Sequence, residues 1–261
     1  VSADGADAPR FHRLIPSREG EPLSAPEALE GWRGQGAQGS ARVALNMIVS
    51  LDGRTAIDGR SAPLSSPADR ALFHALRAEA DAVMVGGGTV RTERYGPIIP
   101  AARTRELRAA RGLSEQPLAV IVSRRLDFDA TVPLLADPGS HVVIITPTPR
   151  DLPPCAAAVD YVRAPTLREG LAELASRHGV RDVVCEGGPG LNASLAGEDL
   201  IDELFLTLAP ILVGDTPGGK SLLDGHALSE PDRLELRMLL ETDSQLYARY
   251  VKRSEPSDQG A

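Results

Sequence analysis

"LNMIVSLDGRTA", residues 45–56, decides how the rest of the chain is read. Leu45, Met47, Ile48 and Val49 form an aliphatic run of the kind buried on both faces of a parallel sheet. The run then turns polar at Ser50, Asp52, Gly53, Arg54 and Thr55. So sharp a change marks a buried strand reaching the carboxyl edge of its sheet, the side on which open α/β folds bind ligands. Asn46 interrupts the run from inside, opposite to Met47 in the pleat. Asp52 in "SLDG" reads as a turn former whose side chain caps backbone.

Working outward, short aliphatic runs bounded by turn residues recur at 42–50, 82–86, 118–123, 141–146, 182–186 and 203–208 and predict strands. Helices are predicted between them. Ser66-Pro67 opens one over 67–79, an N-cap followed by proline at the first helical position, with Leu72, Leu76 and Ala80 on one face. Others fall at 103–111, at 166–178 and at 189–197. The end differs: "RLELRMLLETDSQLYARYVKR", residues 233–253, reads as an antiparallel hairpin turning at Thr242-Asp243-Ser244. Alternation closing in a hairpin implies an α/β fold with a doubly wound mixed sheet, mostly parallel, carrying an antiparallel C-terminal hairpin. Three segments are expected. Residues 1–41 form a partly irregular arm draped over the domain, with only "FHRLIP" and "EALEGW" offering apolar contacts; 42–253 form a single domain; 254–261 form a flexible tail.

With 261 residues, 42% of them apolar, the chain can bury one sizeable core. Aromatics at 3% leave little base-stacking surface, and a net charge of −8 without a long Lys/Arg cluster argues against nucleic acid and anionic membrane. A small molecule is the expected partner. Cys155 and Cys185 are too few for a disulfide framework and lack metal-ligand spacing, so a reducing, cytoplasmic location is expected. No apolar run approaches the roughly 20 residues of a membrane span, and the acidic "VSADGADAPR" does not resemble a signal peptide. His12, His74, His141, His178 and His226 form no H-x-x-x-H pair, so no metal is expected.

Three glycine-rich stretches compete for function. In "VMVGGGTVRTE", residues 83–93, a strand ends in Gly86, Gly87 and Gly88 before Thr89, offering backbone N–H groups and a hydroxyl at the carboxyl edge; a plain tight turn is the competing reading. In "VVCEGGPGLNAS", residues 183–194, Gly188, Gly190 and Ala193 fit G-x-G-x-x-G/A after a strand and before a helix. The full dinucleotide fingerprint fails, because the position about 20 residues beyond Gly188 is Leu208 and not a ribose-binding acid. Glu186 just before this phosphate turn calls for a donor on a ligand, unless it is a solvated loop acid. "GDTPGGKS", residues 214–221, matches the P-loop pattern, which would give Lys220 to a phosphate and Ser221 to magnesium. A P-loop must lead into a helix, and Gly225 and Pro231 follow too soon.

"LNMIVSLDGRTA", "LRAEADAVMVGGGTVRTE", "EGGPGLN" and "LIDELFLTLAPILVG" together, in this order over residues 42–252, resemble the reductase domain of riboflavin biosynthesis, which has the dihydrofolate-reductase-like fold. In bifunctional members a zinc deaminase precedes it. Here Pro154-Cys155 is followed by alanines and no P-C-x-x-C exists, so the chain resembles a stand-alone reductase. The resemblance implies NADPH-dependent reduction of 5-amino-6-(5-phosphoribosylamino)uracil to the ribitylamino form, with hydride delivered to C1 of the opened ribose, in a homodimer. The apolar "DELFLTLAPILVG" is suited to burying a strand between subunits.

The same resemblance implies the ligand contacts. On the cofactor side are backbone near Ile48, the turn Gly86, Gly87, Gly88 and Thr89, then Glu93, Ser123, and the turn Gly187, Gly188, Pro189, Gly190, Leu191, Asn192 and Ser194. On the substrate side are Asn46, Ser61, Arg77 and Glu186. Arg77 suits the ribose phosphate because a guanidinium grips phosphate oxygens bidentately. Glu93 stands where such enzymes usually have Asp, and is the candidate catalytic carboxylate, positioning a group or relaying a proton. Their second arginine has no counterpart near Pro100, which leaves Arg103 or Arg105 as its substitute. Ser123-Arg124-Arg125 ends a strand, and guanidiniums there could hold the 2′-phosphate that distinguishes NADPH from NADH. The alternatives are a paralogue reducing another pterin or pyrimidine, such as dihydrofolate, a P-loop ATP-binding protein, and a nucleotide-binding module without turnover.

Overall fold

The aliphatic run at residues 42–50 is the middle of the molecule. The computed structural model describes residues 8–16, 21–34, 41–214, 220–225, 228 and 230–253. In chain order they form β1 (His12–Ile15), α1 (Ala25–Ala28), β2 (Arg42–Ser50), α2 (Pro67–Glu79), β3 (Ala82–Gly86), α3 (Gly87–Glu93), α4 (Ala102–Ala110) and β4 (Leu118–Val122). There follow α5 (Pro133–Ala136), β5 (His141–Thr146), β6 (Ala158–Arg163), α6 (Leu167–His178), β7 (Asp182–Cys185), α7 (Pro189–Gly197), β8 (Glu203–Ala209), β9 (Leu234–Thr242) and β10 (Gln245–Lys252).

One ten-stranded sheet has the order β1-β9-β10-β8-β2-β7-β3-β4-β5-β6. Every pair from β8 to β6 is parallel, and β10, β9 and β1 continue it antiparallel. This is the doubly wound mixed sheet with an antiparallel hairpin that the pattern implied. Alternate residues of β2 serve opposite faces. Ala44 joins the core beneath α1 and α2 with Leu72, Leu76 and Phe205, while Val43 and Leu45 join the other core with Leu171, Leu174 and Leu195.

The arm is more integrated than its composition indicates. Phe11 and Trp32 are buried, Phe11 meets Tyr247 edge-on with ring centroids 5.2 Å apart, and β1 pairs with β9. The Trp32 indole donates to Glu203 Oε2 at 3.0 Å. Glu203 also accepts from Arg42 and Arg249, and Arg42 reaches Asp182, so one buried ionic cluster ties β2, β7, β8 and β10 at the amino edge.

Several boundaries differ from the expectation. Ser123 and Glu186 lie just past their strands, and the charged helix runs one residue earlier than predicted. β6 was missed because "AVDYVR" carries Asp160 and Arg163 on an outer strand paired on one side only. β8 lies inside its own sheet, between β10 and β2. The tail at 254–261 and residues 215–219 of the P-loop-like stretch lie outside the described residues. Lys220 and Ser221 are followed by turns, not by a helix, which removes the context a P-loop requires.

Candidate functional site

The parallel order places the carboxyl ends of β2, β7, β3 and β4 side by side, so four stretches far apart in sequence meet at one edge. The two glycine turns touch. Gly86 N–H donates to Gly187 O at 2.7 Å, and a Cβ on Gly188 would lie 2.7 Å from the Thr89 hydroxyl. Gly87 packs as tightly on its other side, where a Cβ would come within 3.0 Å of Ser123 Oγ and 3.1 Å of Phe128. Gly88 and Gly190 face open space. Helix α7 starts at Gly188 without a side-chain cap and with Pro189 at its first turn, leaving donors for an anion. Small residues at the point of closest approach and an uncapped nine-residue helix beside them fit the phosphates of a dinucleotide.

The polar half of "LNMIVSLDGRTA" forms the opposite wall. Asp52 accepts from Ser50 Oγ at 2.5 Å, Val213 N at 3.1 Å and Gly214 N at 2.7 Å. These donors pull its carboxyl down to about 2, so Asp52 braces two loops and is a structural acid. Thr55 N–H and hydroxyl reach Lys220 O, and Asp224 N–H reaches Pro189 O, so the segment 220–225 links this wall to the start of α7. Across the mouth, Ser61 N–H donates to Glu93 Oε1 at 3.3 Å, which joins the loop after β2 to the end of α3.

Arg77 and Glu186 do meet, but each answers the other. Arg77 Nε and Nη2 donate to Glu186 Oε1 and Oε2 at 2.6 and 2.7 Å, and Nη1 donates to Ile98 O at 2.9 Å. The guanidinium carbon lies 4.1 Å from the Phe73 ring centroid and 5.5 Å from that of Tyr95. The Tyr95 hydroxyl donates to Glu186 as well, and burial together with that carboxylate raises the phenol well above its ordinary pKa. The donor that Glu186 called for is therefore inside the chain, and the fork of Arg77 is not open for a ribose phosphate. Sequence reading missed Tyr95; its position two residues past Glu93 was the available signal.

Other expected residues are engaged in the same way. Asn192 is fully buried, with Nδ2 on Leu222 O at 3.1 Å and Met47 Sδ at 3.4 Å. Ser194 Oγ donates back to Gly190 O at 2.9 Å, Ser123 Oγ accepts from Leu126 N, and Leu191 packs its Cβ near Gly86. Any ligand contact of Asn192 or Ser194 falls to the backbone. Of the two substitute arginines, Arg105 donates to Ile99 O and Pro100 O, whereas Arg103 is exposed and makes only a surface pair with Glu106 at 3.4 Å. Arg124 is exposed and has no partner among the described residues, next to Arg125, which pairs with Asp127 at 3.3 Å.

Asn46 and Ile48 lie on the α2 face of β2. Asn46 lines a recess with Asp69, Leu72, Leu76, Phe205, Thr207 and Tyr247. Asp69 accepts from Ser65 Oγ at 2.6 Å, the Thr207 hydroxyl bears on it, and burial raises its pKa. Among the described residues no helix is long and apolar enough to cross a membrane.

Residues 41–247 match the model of the family described as the RibD C-terminal domain. The chain is 30% identical over 201 residues to the 2,5-diamino-6-ribosylamino-4(3H)-pyrimidinone 5′-phosphate reductase of Archaeoglobus fulgidus, covering 74% of this chain and 90% of that one. It is 29% identical over 217 residues to the protein of the same name from Methanothermobacter thermautotrophicus, covering 80% and 97%. Among solved structures, a pyrimidine reductase-like protein from Corynebacterium diphtheriae superposes with a TM-score of 0.72 at 22% identity, over 89% of this chain and 100% of that one.

Proposed function

The chain belongs to the RibD C-terminal domain family, and on that basis we propose that it is an NADPH-dependent reductase that converts a phosphoribosylaminopyrimidine of riboflavin biosynthesis to its ribitylamino form. The observation that carries this reading is the contact of the two glycine turns at the carboxyl edge, where Gly188 abuts Thr89 beside the uncapped start of α7.

The backbone of those turns would hold the cofactor phosphates, and Ile48 at the end of β2 would border the nicotinamide. When bound, the reduced nicotinamide supplies a hydride to C1 of the ribosylamine. This chain's residues orient and shield. Ser61 and Glu93, joined across the mouth, place a carboxylate where the ribose chain opens, and the exposed Arg60 and Arg94 beside them supply positive charge for its phosphate. The buried Arg77–Glu186–Tyr95 group fixes the strand end from which the second glycine turn departs. Hydride transfer needs the reacting carbons held close and water kept away, and asks for no protein nucleophile.

The resemblance implies the uracil form of the substrate, while the two archaeal relatives are named for the 2,5-diaminopyrimidinone form. The forms differ at ring position 2, oxo in one and amino in the other. A homodimer and a cytoplasmic location complete the proposal; the exposed Leu51 and Leu212 flank the loops joined by Leu51 N–H to Ile211 O and offer the apolar contact for a second copy.

The test follows NADPH absorbance with each phosphoribosylaminopyrimidine, with dihydrofolate, and alongside ATP hydrolysis. Oxidation with either riboflavin precursor is expected. Oxidation with dihydrofolate alone would favour a paralogue, magnesium-dependent ATP hydrolysis a P-loop protein, and cofactor binding without oxidation a non-catalytic module.

A further inference from the structure

Arg94 closes α3 in a left-handed conformation, with φ 48 and ψ 57. Residues with a side chain are uncommon there, glycine being the usual occupant, and they persist where their surroundings hold them. Tyr95 supplies that hold at three points. Its N–H donates to Val90 O at 3.3 Å, its carbonyl accepts from Leu134 N at 2.8 Å, and its hydroxyl donates to Glu186 just past β7. Burial and the Glu186 carboxylate keep the phenol well above its ordinary pKa, so the hydroxyl stays a donor at every working pH.

The reversal at Arg94 sends its two neighbours to opposite walls of the mouth. Tyr95 goes to Glu186, 91 positions further along the chain, and Glu93 goes to Ser61 in the loop after β2. The two attachments differ in strength. Glu93 Oε1 receives the Ser61 N–H at 3.3 Å and its hydroxyl at 3.5 Å, both long and exposed, and Glu93 has no other hydrogen bond among the described residues. Its carboxylate is therefore placed by the backbone beneath it more than by its own contacts. Tyr95 fixes that backbone.

We infer that Tyr95 is a positioning residue of the reaction: its hydroxyl, anchored on Glu186, sets the end of α3 so that the Glu93 carboxylate meets the ribose as it opens. This rests on the proposed reductase function. In that reduction the ribose C1–O bond breaks, its oxygen takes a proton from solvent, and C1 takes the hydride of NADPH. A carboxylate that orients the opening ring must keep its place, since a displacement of about 1 Å can cost on the order of 100-fold in rate.

The experiment compares the intact chain with Tyr95→Phe, Glu93→Gln and the double variant. Tyr95→Phe keeps the ring and both backbone hydrogen bonds and removes only the hydroxyl. It is expected to lower kcat with a phosphoribosylaminopyrimidine by about tenfold and to leave KM for NADPH nearly unchanged. Because Tyr95 acts through Glu93, the double variant is expected to lose no more than Glu93→Gln alone. Amide hydrogen exchange gives a reading that needs no turnover. In Tyr95→Phe the Ser61 amide is expected to lose protection while the Leu64 amide, bonded to Ser61 O in the same loop, keeps its own. A general loosening would expose both. Wild-type kcat in Tyr95→Phe or in Glu93→Gln, losses that multiply in the double variant, or equal loss of protection at Ser61 and Leu64 would overturn the role of Tyr95 and leave the reductase function standing. No turnover by the wild type would overturn that function and the catalytic purpose of Tyr95 with it.

Discussion

Gly188 lies against the Thr89 hydroxyl so closely that a Cβ there would be 2.7 Å from Oγ1. Gly188 has φ −76 and ψ −175, a conformation open to any residue, so the demand for glycine comes from this contact. Gly188→Ala is expected to destabilise the chain by about 1–3 kcal/mol through overpacking and to weaken NADPH binding. Adding Thr89→Ala removes the clashing oxygen and recovers most of the stability. Denaturant titration of the single and double variants checks this; an equal loss in both would show that the contact is not the cause.

Arg77 and Glu186 predict a strong and non-additive effect. Arg77→Ala leaves a buried carboxylate without its cation and is expected to cost about 3–5 kcal/mol. Arg77→Met combined with Glu186→Leu removes both charges and recovers much of that loss. A cost under about 1 kcal/mol for Arg77→Ala in urea unfolding would place the pair among weak surface bridges and contradict the burial seen here.

The general plan of this site was legible in the sequence, and its internal pairings were not. The aliphatic run of β2 and the abrupt polarity after Ser50 located the carboxyl edge, and the glycine turns located its backbone donors. The role of Arg77 was misread because motif position names a residue but not its partner: Glu186 is 109 positions away, and only the parallel register of β7 beside β3 brings the two together. Trp32 was legible as an apolar contact of the arm, but its partner was not, because Glu203 lies 171 positions away at the amino end of β8.

Arg124, exposed at the end of β4 and without a partner among the described residues, is expected to read the 2′-phosphate. Arg124→Ala should raise the apparent constant for NADPH while leaving NADH use nearly unchanged. Equal losses with both cofactors would remove the assignment.

The Asp52 brace is pH-dependent with a defined sign. Its carboxyl falls from an ordinary 3.8 to about 2, chiefly through the Ser50 hydroxyl and then the Val213 and Gly214 N–H groups. A depressed acid stabilises above its ordinary pKa and loses that contribution as pH falls through the folded value. Protection of the Val213 and Gly214 amides against hydrogen exchange should therefore be complete at pH 5 and fade toward pH 2. Asp52→Asn should lack it at both, and undiminished protection in that variant would contradict the brace.

The two thiols should separate chemically. Burial pushes Cys185 up to about 12, whereas Cys155 is partly exposed. Native protein is expected to take up one equivalent of iodoacetamide at neutral pH, on Cys155, and to release the second thiol only on unfolding. Rapid labelling of Cys185 in the folded state would be inconsistent with its place under α7.

The central claim is tested most directly by where the hydride goes. With NADPH carrying deuterium at the transferable C4 position and a phosphoribosylaminopyrimidine as acceptor, mass spectrometry of the product should show one deuterium at C1 of a ribityl chain and an unlabelled ring. Oxidation of the cofactor with deuterium in the pyrimidine ring, or with none in the product, would contradict it.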